Sequence, residues 1–155
     1  MQNLNVLSNY INLDSMKNIE ANSYNESFPF PHAVIDNFVR DDIAESIYNN
    51  FPSINDDIWF EYNNPLEKKF LADDIRKFPD ILASTIHVLQ SQNFLAELEQ
   101  ISGIQNLMSD PYLHGGGLHL ITKGDKLGMH LDYSIHPKLK LARRMNLIIY
   151  MVDKD

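Results

Sequence analysis

Two side chains in this sequence are spaced to meet at one point. In His130-Leu131-Asp132 an imidazole and a carboxylate stand at positions i and i+2. On a β-strand such positions share a face, so a nitrogen and an oxygen donor converge, which is what a metal ion needs from two of its ligands. A surface ion pair is the other reading that the triplet allows, because six histidines in an Asp-rich chain make one His-x-Asp unsurprising. The remaining chemistry-bearing residues are weaker. Gly115, Gly116 and Gly117 lack a following Lys-Ser/Thr and open no helix, so they are no phosphate loop. They read instead as a bulge or a close backbone approach beside a sheet. His114 and His136 read as solvated loop histidines or as groups behind the ligands, and Trp59 and Tyr62 as core or as part of a substrate lid.

Composition narrows the classes. With 44% hydrophobic residues, 155 residues suffice for one domain with a real core. A net charge of −8 and a pI near 5.1 argue against a general nucleic-acid binder, which needs a basic face. The one basic cluster, Lys138, Lys140, Arg143 and Arg144, reads as solvated surface beside a strand. Absence of cysteine removes disulfides and thiolate metal sites. The N-terminus has no basic region followed by an apolar run, and no stretch approaches the roughly 20 apolar residues of a membrane span. The expectation is a cytoplasmic protein that engages neither nucleic acid nor membrane.

The elements that must position His130 and Asp132 follow from periodicity. Residues 1–27 are rich in Asn and Ser and read as a flexible arm, with a short helix over 13–19. Prolines extend 28–32, and 33–38 reads as a short strand. Ile43, Ala44, Ile47, Tyr48 and Phe51 have helical spacing, with Asp41 and Asp42 at the start and Pro52 closing the run. Residues 53–72 show no steady period and read as a packed loop. Two more helices are expected, one beginning near Pro79 and one ending at Gly103. From Tyr112 the period becomes 2: a strand around 118–122, a Lys-Gly-Asp-Lys turn, a strand over 127–133, a loop, and a strand over 144–152. Helices first and strands after make an α+β domain.

The segment Tyr112–Tyr150 reads YLHGGGLHLITKGDKLGMHLDYSIHPKLKLARRMNLIIY. It resembles the prolyl 4-hydroxylase-like branch of the 2-oxoglutarate/Fe(II)-dependent oxygenases. There a Gly-Gly-Gly-Leu-His strand is followed by Gly-x-x-Leu-x-x-His-x-Asp-Tyr, His-Pro, and Arg-Arg-x-Asn-Leu with an apolar, Tyr-containing strand. The stretch from Phe28 to Phe38 is similar to the usual start of such domains. The resemblance implies a double-stranded β-helix of the jelly-roll, cupin-like kind, with N-terminal helices packed on its first strands. It implies Fe(II) bound by His130 and Asp132, 2-oxoglutarate as cosubstrate, ascorbate as an accompanying reductant, and hydroxylation of a small-molecule or peptidyl substrate. If Arg144, Asn146, Ile148 and Tyr150 share a strand face, the last three line the pocket. Tyr150 is then the cosubstrate contact, with a core tyrosine as the other reading. Related hydroxylases often carry Tyr where Ile121 stands, and His119 is the candidate to replace that contact.

The family also needs a second histidine ligand and then a basic residue for the far carboxylate of 2-oxoglutarate. Here no histidine follows His136, and the only basic residue after Arg144 is Lys154. The expectation is an incomplete oxygenase domain over 28–155 whose C-terminal strands are missing. More chain or a second chain completes it, or it is a non-catalytic remnant that binds through its open sheet edge.

Overall fold

The computed structural model describes residues 4–17 and 19–151. The chain is α+β, and its helices and strands fall into two compact units, Met1–Phe51 with Pro79–Ser109, and Pro52–Phe78 with Asp110–Asp155. Among the described residues no helix is long and apolar enough to cross a membrane.

The first unit holds helices α1 (Leu4–Leu7), α2 (Leu13–Lys17), α3 (Ala21–Asn25), α4 (Asp41–Asn49), α5 (Asp80–Leu89) and α6 (Gln92–Ser102). The expected helices near 43–51, after Pro79 and before Gly103 are α4, α5 and α6. Local chemistry sets their ends. Asp41 and Asp42 lie in the first turn of α4, and the Ser91 hydroxyl caps α6 by accepting from Phe94 N–H. Gly103 closes α6 at φ 72°, a left-handed cap that suits glycine. Residues 1–27 are not a loose arm in their described part. Leu7, Ile11 and Met16 are buried with Phe38, Leu82, Phe94 and Ile101; the Asn/Ser-rich composition hid a one-sided apolar set. The strand expected over 33–38 does not form. Its neighbour Val39 makes only an isolated bridge to Ile11.

The second unit is a sheet that corrects the expected strand order. Residues 53–72, read as a loop, contain β1 (Phe60–Asn63) and β2 (Glu67–Ala72), an antiparallel hairpin. Asn64 makes its turn, accepting from Leu66 N–H and Glu67 N–H at 2.9 Å through its side chain. β3 (Leu118–Leu120) and β4 (Lys126–Leu127) both pair with β2, antiparallel, with Leu71 opposite His119 and Glu67 opposite Leu127. The Lys-Gly-Asp-Lys turn therefore does not reverse the chain. It loops out of one strand line, and β3 and β4 lie end to end along β2. Beyond β4 the expected strand over 127–133 leaves the ladder, and no strand forms over 144–151; Val152 lies outside the described residues. The expected loop between them is present, closed by an Ile135–Ala142 bridge.

Candidate metal centre

The alternation of β2 puts Glu67, Lys69 and Leu71 on one face of the sheet. Register adds Tyr62 opposite Lys69 and His119 opposite Leu71. At the end of β4, Gly128 N–H donates to the Leu66 carbonyl at 2.7 Å, and a Cβ on Gly128 would stand 2.9 Å from that oxygen. Only a residue without a side chain fits there, and His130 stands two residues further on.

His130 Nδ1 lies 2.8 Å from the Gly128 carbonyl oxygen. A carbonyl only accepts, so in the neutral ring Nδ1 carries the proton and Nε2 keeps its lone pair. That nitrogen stands 3.7 Å from Asp132 Oδ1 and 3.9 Å from Glu67 Oε1. Nε2 thus lies within 4 Å of two carboxylate oxygens but beyond hydrogen-bond distance of either, and the Lys69 ammonium stands 3.7 Å from the same Glu67 oxygen.

The other oxygen of Asp132 is held in place. Oδ2 accepts from Asn146 Nδ2 at 3.0 Å and lies 3.3 Å from Arg143 Nη2. Arg143 Nε in turn donates to Asn146 Oδ1 at 2.7 Å, and its guanidinium lies 4.7 Å over the Tyr133 ring. Arg143 is thus no free surface cation, as the basic cluster suggested. Asp132, Tyr133, Arg143, Arg144 and Asn146 line a shallow open depression.

The chain matches no family model, no curated protein and no solved structure. What the site can do is therefore read from its own atoms.

Two donors about 2.1 Å from one ion and at right angles to it lie roughly 3 Å apart, so His130 and Asp132 need only a small closure to share an ion. A histidine whose second nitrogen donates to a backbone carbonyl is also the usual ligand arrangement. The pair therefore fits a divalent metal. Among the described residues no three His, Asp or Glu side chains converge closely enough to enclose one, so the site is an open two-donor pair with Glu67 just outside it.

Of the remaining expected residues, Asn146 joins the site, though as the holder of Asp132. Ile148 and Tyr150 lie outside any strand and are 62% and 80% exposed. Ile121 follows β3 and is exposed as well. His119 lies on the site's face of the sheet. Loss of water around its ring, then the Lys69 ammonium, hold it below the ordinary imidazole pKa against opposing pulls from Gly116, Glu67 and Asp132. His136, read as solvated or as a group behind the ligands, is buried, with Nε2 3.1 Å from Asp110 Oδ1. Its role is to pin a loop. Sequence reading missed Glu67 and Lys69, which stand far earlier in the chain in a stretch without periodicity.

Proposed function

We propose that this chain carries part of an Fe(II)- and 2-oxoglutarate-dependent hydroxylase site, with His130 and Asp132 as metal ligands. The observation that supports it most is the His130 nitrogen. Its lone pair, fixed by the Gly128 carbonyl, faces an Asp132 carboxylate whose far oxygen is held by Arg143 and Asn146. The order of motifs from Tyr112 to Tyr150 supplies the choice of iron and 2-oxoglutarate over other metal chemistries. When bound, Fe(II) and 2-oxoglutarate would let dioxygen act as the oxidant, one oxygen atom entering succinate as 2-oxoglutarate loses CO2 and the other entering the hydroxyl group of a small-molecule or peptidyl substrate, with ascorbate keeping the iron reduced.

The chain's own residues then have distinct work. His130 and Asp132 bind, and the Asp132 charge offsets half that of a divalent ion. Arg143 and Asn146 orient Asp132, and the Gly128 carbonyl orients His130. The finer fold proposed is the opening part of a double-stranded β-helix. Met129 and Leu131, which flank His130, are almost fully exposed, and Ile135, Leu147, Ile148 and Tyr150 are exposed too. So much open apolar surface suits further strands laid against it.

The test is metal binding and turnover together. Mn(II) titration followed by electron paramagnetic resonance should show loss of binding, at least about tenfold, in His130→Ala and Asp132→Ala. Succinate formation from 2-oxoglutarate should vanish in the same variants of the completed domain. Unchanged binding and turnover in both would end the reading. A second reading, a non-catalytic module that binds through the sheet edge, is favoured by β1, which pairs only with β2 among the described residues and is exposed along its length. It requires binding that survives both substitutions.

A further inference from the structure

We propose that the outer edge of β1 is a docking site for an extended, basic peptide segment, which adds to the sheet as a further strand. The inference names the partner of the edge that the second reading above invokes, and it stands whether or not the chain binds a metal.

Hydrogen bonding fixes which backbone groups are on offer. Asn64 N–H donates to the Glu67 carbonyl at 2.8 Å, so these two residues form a bonded pair at the turn. In an antiparallel ladder bonded pairs recur at every second position. Register then makes Tyr62 with Lys69, and Phe60 with Leu71, the next bonded pairs. The N–H and C=O groups of Glu61 and Asn63 therefore point away from β2, and none has a partner among the described residues. Two residues apart is also the spacing at which an added antiparallel strand exchanges its own bonds.

The side chains along the edge select the strand. Natural edges are commonly blunted by Lys or Pro, and β1 carries neither. From Ser53 to Leu66 the chain has three acids, Asp56, Asp57 and Glu61, and no Lys or Arg. Lys68, opposite Asn63 on the Glu61 face, lies 3.2 Å from Asp125 Oδ1 and is engaged there. A cation placed opposite Glu61 thus meets a carboxylate that has no ion pair among the described residues. On the other face Phe60 and Tyr62 meet edge to face, with ring centroids 5.4 Å apart, and both are exposed. Apolar side chains fit against them. The partner is therefore an alternating strand, basic on one face and apolar on the other. A second copy of this chain is a poor occupant, because it sets this acidic edge against its like in a chain of net charge −8. Phe60 and Tyr62 share the sheet face of Glu67 and Lys69, so under the metal reading this edge makes a peptide the substrate class.

Amide-resolved NMR titration of the metal-free full chain tests this with three probes. They are acetylated and amidated Val-Lys-Val-Lys-Val, the same peptide with Glu for Lys, and the lysine peptide N-methylated on the backbone at both Lys residues. The lysine peptide should shift the Glu61 and Asn63 amides and bind at least about fivefold tighter than either control. Glu61→Lys should weaken it and tighten the glutamate peptide, an inversion that misfolding cannot produce. His130→Ala should bind it as wild type does, so a failed metal reading leaves the docking site standing. Tighter binding of the glutamate peptide, or self-association of the free protein through the Glu61 and Asn63 amides, overturns the proposal and keeps only an open edge. Equal binding of the N-methylated peptide, no inversion in Glu61→Lys, or no binding of any probe at millimolar concentration overturns it outright.

Discussion

A Cβ placed on Gly117 would stand 2.2 Å from the carbonyl oxygen of Ala72. Gly117 has φ +89°, and the atoms it would strike are backbone of the central strand, with the Asp73 Cα at 3.2 Å as well. Neither can move without disturbing the pairing of Leu118 with Ala72 that begins β3. Gly117→Ala should therefore destabilise the sheet unit by about 1–3 kcal/mol. Gly116→Ala meets only ordinary contact, 3.6 Å from the Leu113 carbonyl oxygen, and should stay within about 0.5 kcal/mol of wild type. Urea melts of both variants decide it; equal midpoints would show that the close approach carries no weight.

The loop between β3 and β4 turns on Asp125, whose side chain is 1% exposed. Oδ2 accepts from the Thr122 N–H and hydroxyl, each at 2.7 Å, and Oδ1 lies 3.2 Å from Lys68 Nζ. The Thr122 backbone hydrogen bond, then the Thr122 hydroxyl and Lys68, hold its pKa below the ordinary value of 3.8. The folded state thus binds this proton less readily than the unfolded state. Its stabilisation is complete above the unfolded value and is lost as pH falls through the lower folded one. Asp125→Asn should lower stability at neutral pH and flatten the acid limb of the profile below about pH 4. Parallel acid limbs in the two proteins would count against this role.

These two residues also mark where the sequence was readable. The glycine run announced a close approach, and Gly117 makes one. The Lys-Gly-Asp-Lys turn is real, with Asp125 N–H donating to Thr122 O at 2.9 Å, yet turn chemistry alone does not say whether a chain reverses or bulges. The helices α4 to α6 were legible because each carries apolar residues at helical spacing and one boundary residue of its own, Pro52 after α4, Pro79 before α5 and Gly103 after α6. β2 was not, since most of its positions on both faces are at least half-buried, which removes the alternation that identifies a strand. β1 was illegible for the opposite reason, being exposed throughout. For the site, His130 and Asp132 are two residues apart and visible at once. Glu67 and Lys69 join them only through β2, which no local pattern reveals.

Asp132 should lose its aim when its holders are removed. Arg143 and Asn146 both meet Oδ2 and each other, so truncating either leaves the carboxylate free to rotate away from His130. Arg143→Ala and Asn146→Ala are each expected to weaken Mn(II) binding about 10–100-fold. Because the two side chains form one network, the double variant should lose less than the two effects combined. Strict additivity, or wild-type affinity in both single variants, would show that Asp132 is positioned by something else.

His136 is expected to matter for folding rather than for chemistry. Its Nδ1 accepts from Lys138 N–H at 3.1 Å and from Leu139 N–H at 3.0 Å, so the proton of the neutral ring sits on Nε2, 3.1 Å from Asp110 Oδ1. Asp110 itself accepts from Tyr112 N–H and His114 N–H. One buried imidazole thus ties the 136–141 turn to the turn that precedes the glycine run. His136→Ala removes both connections and leaves two backbone donors without their acceptor, at a cost of about 2–4 kcal/mol. His136→Asn keeps an acceptor where Nδ1 stood while losing the Asp110 contact and the ring contacts with Tyr112, His114 and Tyr133, so it should be less damaging than Ala by roughly 1 kcal/mol. Thermal melts should rank wild type above Asn above Ala, while Mn(II) affinity stays within about threefold in every variant that remains folded, because the polar partners of His136 are Lys138, Leu139 and Asp110 rather than the candidate ligands. A folded His136→Asn protein that binds Mn(II) tenfold more weakly would place His136 in the metal site after all.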